Sequence, residues 1–391
     1  MFEKEMKRLE ALRQNGCFKK EFYSSRLRPD SFDSYERFCE IPFCTKEEIR
    51  ATNAYERTSS DGGDVYGIFS SSGTTGEKTY YIYSREDKRV HEEFVRTFFS
   101  QIGIGAGDLG GVCAPIDTGV MAHTMMWQFT TMGAGYVTCV EPSPENIISL
   151  VTSLPVTAVA TRPDILSTVA YRPEWAQAAK NSRVTKLLPG GGFLSGSRRK
   201  LLEKTWNAKA YNMFGMSEMF GPMAGECTCQ DGQHYLDDYL MIEIIDPETG
   251  MPAAEGAVGV AVYTTLWKKG FPLLRYWTDD VISLKNEPCG CGSSLPRIYY
   301  HGRLGDCIRL GDRIVFPRML EEILIDNGCI FSYRAEKSGD SVTVTVETPD
   351  AAPAEAIIAP VRELFNAETA VRFVGVGALG YKGHGKKFFD E

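Results

Sequence analysis

The sequence lacks the features that mark several classes of protein. It contains no apolar run long enough to span a bilayer, and its first residues, MFEKEMKR, include acidic groups and no apolar signal core. No block of lysine and arginine stands out, and the net charge is -8, so we do not expect a nucleic-acid backbone as the main partner. The 11 cysteines are scattered and odd in number, unlike a secreted disulfide framework. Together these absences predict a cytoplasmic protein.

The distribution of apolar residues predicts an α/β fold. The length of 391 residues suits a large and a small domain. From residue 85 to 215, helical stretches alternate with short apolar runs, which predicts a mainly parallel sheet with crossover helices. The runs span 110–114, 135–140, 156–160, 184–188 and 209–213. Strand-like segments and turns predict a β-rich subdomain over 220–300, and the series after residue 302 predicts a small α+β domain.

A loop rich in glycine and hydroxyl residues, FSSSGTTGEKT at 69–79, lies between two segments that both resemble strands. Gly73 and Gly76 allow backbone N–H groups to approach a polyphosphate closely, and Lys78 adds a positive charge. The loop does not match the Walker A pattern, because Glu77 separates Gly76 from Lys78 and the β-formers TYYIYS follow where a helix would be needed. It is predicted to be the tip of a hairpin, and if the segment stood alone an ordinary flexible loop would be the favoured interpretation.

Further motifs follow in one order along the chain: PGGGF at 189–193, YNMFGMSE at 211–218, RYWTDD at 275–280, GRLGD at 302–306 and the pair Gly385-Lys386. This order resembles that of the adenylate-forming enzymes, the acyl-CoA synthetase superfamily. The phenylacetate-CoA ligase-like branch is indicated by IPFCTKE at 41–47, FGMSE followed by Gly221-Pro222, PLLRY at 272–276 and VFP at 315–317. The resemblance covers nearly the whole chain, and six motifs in order are more specific than any one of them.

The resemblance implies ATP-dependent, AMP-forming activation of an aryl or small organic carboxylate. In this superfamily the carboxylate attacks the α-phosphate of ATP to give an acyl-adenylate and pyrophosphate, and a thiol then displaces AMP. The implied cofactors and partners are ATP, Mg²⁺, CoA and a small carboxylic acid. Two alternatives stay open: an adenylating enzyme that passes the acyl group to an amine or a carrier protein, and a nucleotide-binding protein without catalysis. Homodimer formation also stays open.

The resemblance also assigns roles to residues of this sequence. It places the β- and γ-phosphates of ATP at the loop after Phe69, through Ser72, Gly73, Thr74, Thr75, Gly76 and Lys78. It places adenosine at Gly190, Gly191, Gly192, Asn212, Phe214, Asp280 and Arg303. Ser217 would meet the α-phosphate, Glu218 a Mg²⁺ ion and Lys386 the reacting carboxylate. The domain over 1–301 would carry the nucleotide and acyl sites, and 302–391 would form a mobile lid that carries Lys386.

Two Cys-x-Cys pairs fall in the β-rich region, ECTC at 226–229 and PCGCG at 288–292. With a nearby histidine they offer the thiolate and imidazole ligands that zinc prefers. Proteins of the phenylacetate-CoA ligase-like branch often carry matching residues, which implies a structural zinc site. Its ligands would be Cys227, His234, Cys289 and Cys291, with Cys229 either spare or replacing one of them. The alternative is that the cysteines stay reduced and pack as small hydrophobic side chains.

Two other histidines are expected to have packing roles. His91 is predicted on the exposed face of a helix over 86–101. His123 lies at the start of the apolar segment VMAHTMMW, where it could line the acyl pocket but is expected in the core.

Overall fold

The chain folds into two units, each assembled from three separate segments. The first unit comprises Met1–Gly105, Ile116–Gly133 and Met213–Tyr300, and the second comprises Ala106–Pro115, Ala134–Asn212 and His301–Glu391. The structure is a computed structural model that describes residues 2–60, 62–71, 78–116, 120–311, 313–349, 354–380 and 387–390. Among these residues, no helix combines the length and apolar character that crossing a membrane requires.

The elements below are numbered in chain order. The helices are α1 (Glu3–Gln14), α2 (Glu21–Ser24), α3 (Tyr35–Cys39), α4 (Lys46–Ala51), α5 (Arg85–Gln101), α6 (Val120–Thr131), α7 (Pro144–Ser153), α8 (Pro163–Thr168), α9 (Pro173–Asn181), α10 (Gly196–Trp206), α11 (Pro317–Asp326) and α12 (Ala354–Phe365). The strands are β1 (Val65–Ser70), β2 (Tyr80–Ser84), β3 (Leu109–Cys113), β4 (Gly135–Cys139), β5 (Ala158–Thr161), β6 (Lys186–Pro189), β7 (Lys209–Ala210), β8 (Met213–Met216), β9 (Gly221–Gly225), β10 (Gln233–Tyr235), β11 (Leu240–Ile245), β12 (Gly259–Thr265), β13 (Tyr276–Lys285), β14 (Arg297–Arg303), β15 (Ile308–Leu310), β16 (Arg313–Val315), β17 (Tyr333–Ser338), β18 (Ser341–Glu347), β19 (Glu368–Val374) and β20 (Phe388–Asp390).

The first unit is built around a seven-stranded sheet; its strand β14 continues past Tyr300, where the segment of the first unit ends, to Arg303. Its strand order is β11-β12-β13-β14-β10-β9-β8, and the registers described within it are antiparallel. Strands β1 and β2 form a separate antiparallel hairpin, as the sequence predicts for the strands that flank the glycine-rich loop. Helix α5 follows directly, because Ser84 caps it by accepting a hydrogen bond from Asp87 N. The predicted β-rich region is confirmed.

The N-terminal segment of this unit is tied to strand β13. Thr45 starts α4 with a capping box, in which Thr45 N donates to the Glu48 carboxylate over 2.7 Å. The preceding residue, Cys44, forms a parallel bridge with Tyr276, the first residue of β13. Cys44 N donates to the carbonyl of Arg275, just before the strand, over 2.8 Å, and Trp277 N donates to Cys44 O over 2.9 Å. The motifs IPFCTKE and PLLRY are thus joined by a backbone bridge.

Both histidine expectations need correction. His91 on α5 is only 1% exposed, because Phe220 and Trp127 cover the face that the sequence pattern leaves open. Its Nε2 lies 3.2 Å from Phe220 O, and burial lowers the pKa of His91 to about 3, so the ring is neutral. His123 on α6 is exposed and does not lie in the core, although its ring contacts Phe69.

The second unit contains the predicted parallel sheet. Its order is β4-β3-β5-β6-β7, and every described pair within it is parallel. Helices α7 to α10 connect the strands, as expected for crossover connections. The run at 209–213 differs from a single strand: β7 ends at Ala210, and Met213 begins β8 in the seven-stranded sheet. The run therefore contains the whole of β7, in the parallel sheet, and the first residue of β8, in the seven-stranded sheet.

The C-terminal part of the second unit has the predicted α+β pattern. Four strands form a sheet in the order β19-β18-β17-β20, with α11 and α12 beside it. Strand β20 is not predicted from the sequence, since only three residues of strand follow the glycine- and lysine-rich stretch. Within this unit, charged side chains connect α11 to α10. Arg198 on α10 donates to both carboxylate oxygens of Glu321 on α11 over 3.0 Å, and the carboxylate of Glu322 accepts from Gly196 N and Ser197 N over 2.9 Å. A lid division at residue 301 stays a prediction.

Candidate functional site

The centre of the candidate site in the first unit is the turn Ser217–Met219, which joins β8 to β9. Glu218 lies in this turn with only 5% of its surface exposed. Two phenols donate to the same carboxylate oxygen: Tyr81 OH lies 3.0 Å and Tyr276 OH 3.1 Å from Glu218 Oε1. A buried carboxylate that is met by two donors keeps a fixed orientation.

Lys268 fixes the backbone of the same turn through a hydrogen bond to a carbonyl oxygen. Its ammonium is fully buried and donates to Glu218 O, and it lies 4.9 Å from the ring centroid of Tyr83 and 5.0 Å from that of Phe271. Burial lowers the pKa of Lys268 to about 7, while the negative charge of Asp87 opposes that shift. Asp87 in turn accepts from the backbone N–H groups of Ser84, Lys269 and Gly270, each over 2.8 Å.

Tight backbone packing explains the glycines of the FGMSE…GP motif. Tyr83 OH donates to Ser217 O and accepts from Phe220 N over 3.2 Å, so the turn is held at both ends. A Cβ at Gly215 would lie 2.1 Å from Gly221 O, which no side chain could occupy. Gly221 itself has φ +97° and lies against Thr124 of α6. Only glycine suits both positions.

Other predicted nucleotide ligands of the first unit take the following places. Phe214 is half-buried, with its ring centroid 5.7 Å from that of Tyr300. Asp280 on β13 is 4% exposed. Lys78 is exposed beside the end of the hairpin, where Ser71 N donates to Thr79 O over 3.0 Å. Ser72, Gly73, Thr74, Thr75 and Gly76 lie outside the described residues.

In the second unit, the predicted adenosine ligands follow the carboxyl ends of β6 and β7. This is the edge at which open parallel sheets bind ligands. Gly190 N donates to Thr161 O at the end of β5 over 3.0 Å, and Gly191 has φ +66°, which favours glycine. Asn212 is half-buried, whereas Arg303 is exposed. The structure thus places the glycines and Asn212 at one edge of the sheet.

The predicted catalytic lysine, Lys386, lies outside the described residues. Its neighbour Lys387 is described and is held by the second unit. Lys387 N donates to Asp306 Oδ1 over 3.1 Å, and its ammonium lies 5.4 Å from the ring centroid of Tyr333. Burial lowers the pKa of Lys387. These contacts give Lys387 a structural role.

The four predicted zinc ligands come together in the first unit. One ligand atom from each of Cys227, His234, Cys289 and Cys291 lies within 4.8 Å of all the others. Cys227 Sγ lies 3.7 Å from Cys289 Sγ, and Cys291 Sγ lies 3.6 Å from His234 Nε2. Ligands bound tetrahedrally at about 2.3 Å lie roughly 3.8 Å apart, so the cluster has the dimensions of a zinc site. Cys229 is exposed and lies outside this group.

Hydrogen bonds to the residues of the cluster favour metal binding through His234 Nε2. His234 Nδ1 lies 3.0 Å from Leu295 O, so the hydrogen that Nδ1 donates leaves Nε2 with its lone pair. Cys229 N donates to Cys227 Sγ over 3.4 Å, which suits a thiolate acceptor. The backbone of Cys229 therefore supports the cluster while its thiol does not join it.

Sequence motifs missed several residues that the structure places at the site. Tyr81 and Lys268 carry no motif signal, because their partners lie far away along the chain. Asp87 is recognisable in the sequence only as the partner of the cap residue Ser84, and not from its contacts with Lys269 and Gly270. Arg275, by contrast, belongs to a predicted motif, yet its guanidinium is bound to the Glu243 carboxylate over 2.9 and 3.1 Å and to Ile41 O. This motif arginine is a buried structural residue.

Comparison with known proteins supports the fold and the sequence resemblance. No family model matches the chain. The sequence is 29% identical to a phenylacetate-coenzyme A ligase of Thermus thermophilus over 76% of this chain and 68% of the relative, and 26% identical to one of Aromatoleum evansii over 84% and 76%. A 2-hydroxyisobutyryl-CoA ligase in its postadenylation state has the same fold, with TM-score 0.84 and 18% identity over 99% of this chain and 89% of that chain. The fold class and the resemblance to the phenylacetate-CoA ligase-like branch are confirmed.

Proposed function

We propose that the chain is an ATP-dependent, AMP-forming ligase that joins an aryl or small organic carboxylic acid to CoA through an acyl-adenylate. The observation that carries this proposal is the similarity to phenylacetate-coenzyme A ligases, which extends over 76% of the chain in one relative and 84% in another. The buried, doubly hydrogen-bonded Glu218 in the FGMSE motif supports it, since this chemistry depends on a positioned metal ion and a carboxylate of fixed orientation is a suitable ligand for one.

The proposed reaction has two steps. An oxygen of the substrate carboxylate forms a bond to the α-phosphorus of ATP, and the bond from that phosphorus to the bridging oxygen breaks, which releases pyrophosphate. The sulfur of CoA then bonds to the acyl carbon, the acyl–oxygen bond to AMP breaks, and the thiol proton passes to solvent. Both steps depend on positioning and charge neutralisation more than on covalent help from the protein.

The residues of this chain supply those positions. Ser217 would donate to the α-phosphate, Lys386 would neutralise charge on the reacting carboxylate, and Lys78 with the loop of Ser72 to Gly76 would bind the β- and γ-phosphates. Asp280, a carboxylate with two acceptor oxygens, suits the two hydroxyls of a ribose. Asn212, Phe214, Arg303 and the glycines at 190–192 would surround the adenosine.

Glu218 fits the role of a Mg²⁺ ligand. Hard cations prefer carboxylate oxygens, and the two phenols at Glu218 Oε1 orient the carboxylate without neutralising its charge. A bound Mg²⁺ would neutralise phosphate charge and orient the pyrophosphate leaving group.

Cys227, His234, Cys289 and Cys291 would hold a structural zinc ion. The proposal is supported by the mutual separation of their ligand atoms and by the hydrogen bond that orients His234. All four positions of a tetrahedral site would be filled by protein, which leaves no open position for catalysis.

The test is pyrophosphate release with ATP and Mg²⁺ against a panel of aryl, aliphatic and amino acids, each with and without CoA. We expect release that depends on the acid, and formation of AMP and an acyl-CoA when CoA is present. Acid-dependent release that yields no acyl-CoA would overturn the assignment of CoA as acceptor. Absence of acid-dependent release across the panel, with no ATP binding by calorimetry, would overturn the proposed function.

A further inference from the structure

The carboxylate of Glu218 is held asymmetrically by two phenols from different elements. Tyr81 comes from β2 of the hairpin and Tyr276 from the start of β13 in the seven-stranded sheet. Both hydroxyls donate to Oε1, at 3.0 and 3.1 Å. Two donors on one oxygen restrict rotation of the carboxylate more than one donor does, and they leave the second oxygen available to another ligand.

The phenols are suited to be permanent donors. Tyr81 and Tyr276 are at most 3% exposed, so water has little access to either hydroxyl and does not compete for the carboxylate. A phenol donates a hydrogen bond without forming an ion pair, so the two contacts orient the carboxylate without a salt bridge to it.

The backbone beneath the carboxylate is fixed independently. Lys268 donates to Glu218 O, and Tyr83 OH donates to Ser217 O. Neither of these contacts involves the carboxylate. The position of the turn and the rotation of the side chain are thus controlled by separate groups, so the contribution of the two phenols can be measured without moving the turn.

We propose that Tyr81 and Tyr276 are positioning residues that bind Glu218 Oε1 and so reserve Oε2 for the divalent cation of a metal–nucleotide complex. This inference rests on the proposed function, in which Glu218 is the Mg²⁺ ligand. It assigns these two phenols a role in metal-dependent nucleotide affinity, which core packing alone would not give them.

The test compares the Tyr81→Phe, Tyr276→Phe and double variants by calorimetric titration with α,β-methylene-ATP, with and without Mg²⁺. The ratio of the two dissociation constants gives the metal-dependent gain in affinity. We expect the metal-dependent gain in affinity to be about threefold smaller in each single variant than in the wild type, because the remaining phenol still binds Oε1. The double variant should lose about thirtyfold, more than the product of the single effects. Affinity without Mg²⁺ should change by less than twofold.

Tyr263→Phe is the matched control. Tyr263 is a fully buried tyrosine in the same cluster of core side chains, and its hydroxyl has no hydrogen-bond partner among the residues that the structure describes. Removal of that hydroxyl should leave the metal-dependent gain unchanged. In a Glu218→Ala background, both phenol substitutions should also have no further effect on the gain, since their partner is absent.

Kinetics give a second readout that distinguishes positioning from packing. For the double variant we expect the KM for Mg²⁺ to rise about tenfold or more, while kcat at saturating Mg²⁺ stays within about threefold. Equal metal-dependent gains for wild type and double variant would overturn the role of the phenols while the proposed function stands. If the wild type itself bound the nucleotide equally well with and without Mg²⁺, the assignment of Glu218 would fail, and this inference with it.

Discussion

At the scale of single residues, His91 shows how a polar side chain can be confined to one protonation state. It is buried against aromatic rings, and its Nε2 lies 3.2 Å from Phe220 O, so the neutral ring with hydrogen on Nε2 satisfies that carbonyl. A positive charge there would have no water around it, and Lys88 and Lys268 lie near enough to oppose it. The pKa of His91 is lowered mainly by burial.

This lowered pKa predicts a loss of stability in mild acid. Unfolded His91 has a pKa of about 6.5, above its folded value of about 3. The unfolded chain therefore binds more protons below pH 6.5, and the stabilisation that is complete above that pH is lost as the pH falls. Relative to the His91→Gln variant, whose amide can still donate to Phe220 O, the wild type should lose about 2 kcal/mol between pH 7 and pH 5.

Urea denaturation of both proteins at the two pH values measures this difference. All other titrating groups are shared, so they cancel in the comparison. Equal losses of unfolding free energy in wild type and variant would show that His91 does not titrate as a buried group.

Sequence patterns revealed some site residues and not others. Ser217 and Glu218 stand within a recognisable motif, whereas Tyr81 and Lys268 meet them only after the chain has folded. Tyr81 lies 137 positions from Glu218 in sequence. A local pattern carries no information about such a pair, because nothing in TYYIYS distinguishes a tyrosine that binds a carboxylate from one that packs.

At the scale of elements, the four proposed zinc ligands join β10 and two turns of the first unit. His234 lies on β10, and Cys227 follows β9, whereas Cys289 and Cys291 lie in the turn after β13. Short strands and turns provide little hydrophobic area, so a metal that joins them would add stability that packing cannot.

We predict one zinc ion per chain that survives dialysis against EDTA. Cys289→Ser should lose the ion and lower the melting temperature by about 5 °C or more. Cys229→Ser is the matched control, because Cys229 lies in the same region but is exposed, and it should retain the ion. Elemental analysis and calorimetry measure both. A folded, active wild type without metal would contradict the prediction, as would loss of zinc from Cys229→Ser.

The elements themselves were largely predictable. Regular alternation of apolar runs and helices specified the parallel sheet, because crossover connections permit few arrangements. The exceptions have physical causes. The run at 209–213 serves two sheets, and β20 at Phe388–Asp390 is stabilised by parallel pairing with β17 and not by its own sequence. Strands this short depend on their neighbours more than on their own propensity.

At the scale of the whole molecule, the sequence does not predict which segments of the chain belong to each of the two units. Residues 106–115 and 134–212 group with 301–391, although more than eighty residues of the other unit intervene before position 301. The contacts responsible are specific ones, such as the buried ion pair between Arg198 and Glu321. Pairs of this kind depend on long-range geometry that periodicity does not encode.

The C-terminal segment contains Lys386, the residue to which the proposed mechanism assigns the most direct catalytic role. Lys386→Ala should lower acid-dependent pyrophosphate release by about a hundredfold or more, because a charge that stabilises the transition state is removed. Lys382→Ala removes a charge from the same glycine-rich stretch and should retain activity within about threefold. Equal activity of Lys386→Ala and wild type would refute the assignment of Lys386, and a large loss in Lys382→Ala would transfer the role to that lysine.

The central claim is that the acid is activated as an acyl-adenylate. The most direct measurement uses the acid that gives the greatest pyrophosphate release, labelled with ¹⁸O in its carboxylate, together with ATP, Mg²⁺ and CoA. Attack on the α-phosphorus and later displacement by the thiol leave one carboxylate oxygen on AMP. We therefore predict one ¹⁸O atom in the phosphate of AMP and none in pyrophosphate, read by mass spectrometry. Label in inorganic phosphate with formation of ADP, or AMP without label, would contradict the account.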